Sequence, residues 1–297
     1  LRISFPGYDR GEELGYFPAL VIFNEGITNF FYNTFMPGGS NLRFLNEAKT
    51  SELNYEIEEW NTNGNSYVWV QVQQFTNGCS IWAYWGPSTD ILPSTTNGAT
   101  WSQGFGSVWH MREGGSTNYD SVARYLGTPA NVVSATGAID GAEYFNGTNA
   151  MISTTYGQPS VTSYTASAWI RTTDAAANRM ILSDRGSGSG QSLSFGLRTA
   201  GGRPFFGLDT TGITIGHDAD NPINDNAWHH LAGVWTTPYG TQIATNQFRI
   251  YVDGFEVSST PVLVGTGPYA PLIGAGASQI AYHQTWNTNL AANLDEL

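Results

Sequence analysis

Apolar residues in this 297-residue chain recur at every second position, and no stretch carries the spacing of an amphipathic helix, so the backbone is confined to β-structure. In Leu1-Arg2-Ile3-Ser4-Phe5 the odd positions are apolar. The same alternation predicts strands over residues 17–23, 42–45, 53–60, 67–75 and 79–85. Beyond residue 105 it predicts them over 107–111, 142–145, 150–153, 164–171, 180–184, 192–197, 204–208, 228–236, 247–252, 255–258 and 271–275. Turn clusters such as Pro37-Gly38-Gly39-Ser40-Asn41 separate them. Asn77-Gly78 and Asp253-Gly254 both read as two-residue hairpin turns, because these residues tolerate positive φ. Many short strands joined by frequent turns make a sandwich or jelly roll.

Residues 86–104 are polar, with Pro87 and Pro93, and mark a break in this pattern. The expected organisation is an N-terminal β domain at 1–93, a linker at 94–104 and a larger β domain at 105–297. The chain opens and closes within strand-like segments, so a piece of a longer polypeptide is expected, truncated at its last strand.

Charge narrows the function. Only 12% of residues are charged, about half the usual share. The net charge of −12 arises from 12 basic and 24 acidic residues, with no basic cluster in either half. Phosphate backbones and anionic lipid surfaces need such clusters, so neither nucleic acid nor a membrane surface is an expected partner. No segment approaches the roughly 18 apolar residues of a membrane span. Cys79 is the sole cysteine, which rules out an internal disulfide and a thiolate metal cluster.

Beyond the break, several segments fall in a recognisable order. Gly106-Ser107-Val108-Trp109-His110-Met111 comes first, then Gly141-Ala142-Glu143-Tyr144-Phe145-Asn146-Gly147 and residues 164–170. Trp228-His229-His230-Leu231-Ala232-Gly233-Val234-Trp235 and Phe248-Arg249-Ile250-Tyr251-Val252-Asp253-Gly254 follow. Ile273-Gly274-Ala275-Gly276 and Leu294-Asp295-Glu296-Leu297 close the series. Residues 105–297 thereby resemble the laminin-G-like, concanavalin-type domains of bacterial surface proteins. In the first half, Asn41-Leu42-Arg43-Phe44, Tyr55-Glu56-Ile57-Glu58-Glu59-Trp60-Asn61, Val68-Trp69-Val70-Gln71-Val72 and Ile81-Trp82-Ala83-Tyr84-Trp85-Gly86 resemble an uncharacterised domain. That domain often precedes laminin-G-like ones and also accompanies MotA/TolQ/ExbB-type proton channels. The implied fold is all-β: a small N-terminal β-sandwich followed by a concanavalin A-like jelly-roll sandwich. Trp169, Trp228 and Trp235 are expected to fill its core.

Few constellations carry chemistry. Glu56 and Glu58 sit two apart on one predicted strand and could share a face, as glycoside hydrolysis requires of paired carboxylates. The glucanase signature places an Asp between two Glu, and Glu-Ile-Glu-Glu lacks it, so a solvated or structural strand face is the preferred reading. His229 and His230 are neighbours and point to opposite faces, so they cannot share a metal. His110, His217 and His283 have no partner histidine at metal-ligand spacing. The glycine-rich run 186–190 has no following Lys-Ser/Thr and reads as a hairpin tip. Trp60, Trp69, Trp82 and Trp85 could form a sugar-stacking platform, although alternation favours a core role for them. Asp218 and Asp220, with Asn221, Asn224 and Asp225, crowd the run 216–226 and are candidate Ca²⁺ ligands, since Ca²⁺ takes oxygen donors. The resemblance adds Asp295, near the C-terminal strand, as a separate candidate for a structural Ca²⁺.

These readings converge on a noncatalytic recognition or adhesion module at the cell surface, outside the cell or in the periplasm. Its expected partner is a glycan or a surface protein, and Ca²⁺ is its one expected cofactor. The alternatives are a structural or assembly ectodomain of a larger surface or energy-coupling protein, and a glycoside hydrolase.

Overall fold

The computed structural model describes residues 1–86, 97–122, 125–157, 161, 163–183, 192–210, 213–236, 243–265, 277–283 and 286–297. Among them the regular elements are β-strands and short 3-10 turns, and no helix is long and apolar enough to cross a membrane. The predicted strand at 271–275 and the glycine run at 186–190 fall outside the described residues. The chain divides into two compact units, Leu1–Val108 with Ser121–Ala123, and Trp109–Asp120 with Arg124–Leu297.

The first unit is a small sandwich of two antiparallel three-stranded sheets. One runs in the order Arg2–Ser4, Ser80–Tyr84, Arg43–Asn46, and the other Leu14–Phe23, Ser66–Phe75, Tyr55–Glu59. Period-2 patterning builds the core: Val68, Val70 and Val72 are buried from one sheet, and Phe44, Ile81 and Ala83 from the other. Phe23 and Phe30 stack between them at 5.1 Å.

Asn77-Gly78 does not form the expected hairpin. Gly78 takes φ +72° and Cys79 N bonds Thr76 O, so the turn is made. The strands on either side, however, join different sheets. Burial decides this. Both Ser66–Phe75 and Ser80–Tyr84 carry apolar inner faces, and crossing the corner lets those faces oppose each other. The described part of the expected linker, residues 97–104, belongs to this first unit. Its 3-10 turn Ala99–Trp101 buries Trp101 against Trp69, Val108 and Val122.

The second unit packs a seven-stranded sheet against a nine-stranded one, with antiparallel neighbours throughout. The first runs Phe255–Glu256, Phe248–Val252, Trp228–Thr236, Ser163–Thr172, Ala291–Asp295, Gly141–Asn146, Val133–Thr136. The second runs Ser259–Val264, Ile213–Ala219, Arg203–Thr210, Ser192–Thr199, Arg179–Ser183, Ala277–Ile280, Met151–Gly157, Leu126–Ala130, Asn118–Tyr119. Phe145, Ile152, Ile170, Phe195, Phe206, Leu231, Trp235 and Phe248 are among the residues filling the space between them. Asp253-Gly254 makes the predicted two-residue hairpin, with φ +53° and +82°, joining Tyr251 to Glu256 and Val252 to Phe255. The segment 107–111 is not a regular strand. Trp109 instead forms a single bridge to Asp120, and its backbone exchanges both hydrogen bonds with Leu297, at 2.7 and 2.9 Å.

One expectation about the core is overturned. Trp235 is fully buried, but Trp169 and Trp228 are only partly covered. Register explains it. In Trp228–Thr236 the odd positions Leu231, Gly233 and Trp235 face inward, so Trp228 and His230 face outward. In Ser163–Thr172 the inward set is Ala166, Ala168 and Ile170, which turns Trp169 and Arg171 outward.

Candidate ligand-binding face

The outward side chains of the seven-stranded sheet form rows across the strands, because directly paired residues share a face. One row is set by the pairs Val133–Tyr144, Tyr144–Asn293, Asn293–Arg171 and Arg171–Trp228. It crosses five strands, a span of about 19 Å at roughly 4.8 Å per strand. Tyr144 is 42% exposed and Val133 53%. With the Asn293 amide oriented so that its oxygen faces Arg171, it accepts from Nη2 at 2.6 Å and Nε at 3.0 Å. The same guanidinium lies 5.3 Å from the centre of the Trp228 ring. Arg171 is thus held between an amide and an indole.

The next row pairs Asp295 with Trp169 and Trp169 with His230. The Trp169 and His230 rings meet edge to face at 5.3 Å. Burial lowers the His230 pKa, so its imidazole is neutral at pH 7. Ser167, Ala232 and Tyr251 continue the face beyond it. The surface is therefore rich in aromatic rings and interleaved with amide, guanidinium and hydroxyl groups.

Asp295 closes one end of this face and is fully buried. Its Oδ2 accepts the Ala138 and Ile139 amides at 2.8 and 3.0 Å, so the loop 137–140 folds over it. Gly137 makes that closure feasible, since a Cβ there would stand 2.6 Å from Oδ2. Oδ1 meets no donor, and neither does Asp140 Oδ2, which lies 3.7 Å from Arg112 Nη1. Desolvation, followed by the charges of Glu296 and Asp140, pushes the Asp295 carboxyl up to about 7. Asp295 Oδ1, sealed and without a donor, and Asp140 Oδ2, paired only with Arg112, are hard oxygen donors of the kind Ca²⁺ takes.

Asp218 and Asp220 are not drawn together on a common partner. Asp218 lies within the strand Ile213–Ala219 rather than in a loop, where Thr199 Oγ1 donates to it at 2.6 Å and Arg198 stands 3.6 Å away. Asp220 accepts the hydroxyls of Ser258 and Thr260, and Asp225 holds His229 and the Ala227 amide. These acids serve the hydrogen bonding of three separate places.

In the first unit Glu56 and Glu58 do lie on one side of their strand, and each receives an indole N–H. Trp101 Nε1 donates to Glu56 at 2.5 Å and Trp69 Nε1 to Glu58 at 2.7 Å, with the two indoles 5.2 Å apart. Trp60 and Trp85 both pack on Phe35, while Trp82 lies under Lys49 Nζ at 3.7 Å. The four tryptophans are spread over three clusters and make no shared platform.

A family profile described as the concanavalin A-like lectin/glucanases superfamily matches residues 145–297, and one described as a domain of unknown function (DUF2341) matches 38–105. No curated protein matches the chain. Among solved structures, domain 4 of AbnA, a GH43 extracellular arabinanase from Geobacillus stearothermophilus in complex with arabinotriose, aligns with a TM-score of 0.41. The identity is 16%, over 60% of this chain and 83% of that one.

Proposed function

The chain belongs to the concanavalin A-like lectin/glucanases superfamily, and on that premise we propose that its second unit is a noncatalytic glycan-binding module. Its ligand lies across the strands on the outer face of the seven-stranded sheet. The observation that carries this reading is the row Tyr144–Asn293–Arg171–Trp228 with Trp169 and His230 behind it. Sugar rings present apolar C–H faces that stack on aromatic side chains and rims of hydroxyls that bond amides and guanidinium groups. The row supplies both, at a length that suits an oligosaccharide rather than a single sugar.

The noncatalytic part of the proposal is supported by chemistry. Glycosidic hydrolysis uses two carboxyls flanking the bond, and the carrying row contains none. Glu56 and Glu58, the pair singled out in the sequence, are occupied with indole N–H groups in the first unit. Within this proposal Asp295 and Asp140 hold Ca²⁺ beneath the loop 137–140, where it rigidifies one end of the face. The setting is extracytoplasmic, as suits a glycan reader.

The test is a glycan array followed by calorimetry, with and without EDTA. Oligosaccharide binding that weakens at least tenfold in Trp228→Ala and Arg171→Ala is expected. Absence of glycan binding, together with capture of a defined surface protein, would transfer the face to the assembly reading. Hydrolysis of the bound oligosaccharide would end the noncatalytic one.

A further inference from the structure

A second group of oxygens lies on the side of Gly141–Asn146 opposite the binding row. Glu143 faces away from Tyr144 and is fully buried. Its Oε1 lies 3.5 Å from the Gly115 amide, while Oε2 meets no donor. Asn118, 1% exposed, donates from Nδ2 to Glu113 Oε2 at 2.8 Å, and its Oδ1 likewise meets no donor. Glu113 is anchored by the amides of Arg112 and Tyr119 at 3.0 and 3.3 Å. Between these side chains runs the turn Gly114-Gly115, at φ +60° and +84°. A Cβ on Gly114 would collide with Ser134 Oγ, and one on Gly115 would stand 2.5 Å from the Val132 carbonyl oxygen. Oxygens from five residues therefore crowd around a turn that carries no side chains of its own.

We propose that this pocket is a binding site for a hard divalent cation of the Ca²⁺ class, with Glu143, Asn118 and Glu113 as its side-chain ligands. Each buried oxygen without a donor needs a positive partner, and a single cation supplies one to both. The donors are carboxylate, amide, hydroxyl and carbonyl oxygens, which disfavour thiophilic and imidazole-seeking metals. Their irregular disposition suits the adaptable coordination of Ca²⁺ better than the strict octahedron of Mg²⁺. Burial raises the Glu143 carboxyl to about 7, against a hydrogen bond from the Asn118 side chain that lowers it, with the Glu113 charge adding to the rise. The site shares no residue with the Asp140–Asp295 pocket.

The test uses the whole chain, stripped with EDTA and titrated with CaCl2 by calorimetry. Two Ca²⁺ per chain are expected, falling to one in the Asp140→Asn/Asp295→Asn variant. In that background Glu143→Gln should weaken the remaining site at least tenfold, and Asn118→Asp should tighten it at least threefold. MgCl2 should bind at least tenfold more weakly than CaCl2. Near-ultraviolet circular dichroism reports folding of each variant. If Glu143→Gln does not fold, Glu113→Gln and Asn118→Asp decide the matter. A folded double variant that takes up no Ca²⁺, or an affinity unmoved by Glu143→Gln or by the deciding pair, overturns the assignment. Loss of only the Asp295 pocket leaves this site standing, so the two proposals fail separately.

Discussion

His229 Nδ1 meets Asp253 Oδ2 at 2.9 Å, while the other oxygen of the same carboxylate accepts the His230 amide at 2.9 Å. Asp253 is also the first residue of the hairpin turn, so one side chain ties the turn to the neighbouring strand. Asp225 holds the other imidazole nitrogen at 3.2 Å.

This arrangement makes stability depend on pH. Partial burial acts to lower the His229 pKa, but hydrogen bonds to Asp253 and Asp225 outweigh it, and the folded value lies above the ordinary one. A raised histidine contributes its full stability below the unfolded pKa of about 6.5 and loses it as pH rises through the folded value. Urea midpoints measured from pH 5 to 9 should therefore decline across neutrality in the native chain, and the decline should shrink in His229→Gln. An identical profile in the variant would count against the paired imidazolium.

Trp228 and Trp235 share a strand and face opposite ways. Trp235→Ala empties a core position that Phe248 stacks against, and should cost about 3–5 kcal/mol. Trp228→Ala removes a surface ring and should cost about 1 kcal/mol or less, while abolishing most of the glycan affinity. Thermal melts set against binding isotherms separate the two, and equal destabilisation would contradict the register.

Gly233 admits no side chain, because a Cβ there would collide with the Phe206 ring. Gly233→Ala should destabilise by about 1–3 kcal/mol through overpacking. A paired Phe206→Leu substitution should recover part of that loss. Failure of the pair to couple in a double-mutant cycle would show that the sheets yield more easily than their packing implies.

In the first unit, Glu56→Ala leaves the Trp101 indole N–H without this acceptor and removes the carboxylate that accepts from the Ser121 hydroxyl at 2.7 Å. A loss of about 1–3 kcal/mol is expected, with Trp101 fluorescence red-shifted as water reaches the indole. An unchanged emission spectrum would place Trp101 outside the packed unit.

Alternation made the strands and the two-layer architecture legible, since burial of one face writes a period of two into the sequence. It did not reveal which strands share a sheet. Thr76-Asn77-Gly78 has the chemistry of a hairpin turn, and only the opposing apolar faces of Val68–Val72 and Ile81–Ala83 send the chain to the other sheet. Face assignment also escaped a reading by residue type. Trp228 looks like a core residue until Leu231, Gly233 and Trp235 are recognised as the inward set of its strand, and Trp169 until Ala166, Ala168 and Ile170 are recognised as that of its own. That parity was available in the sequence, whereas the meeting of Tyr144, Arg171 and Asn293 was not. These residues are far apart in the chain and come together only through strand pairing. Asp295 was visible through the resemblance, but its companion Asp140 comes from a loop whose position depends on the fold. Asp218 and Asp220 cluster in the sequence, but Asp218 lies in the strand Ile213–Ala219 and Asp220 just past its end, and they bond separate neighbours.

The reciprocal backbone bonds between Trp109 and Leu297 have a mechanical consequence. Tension applied between these two positions loads that short clasp first. The sheets and their outer face then carry no load until it opens.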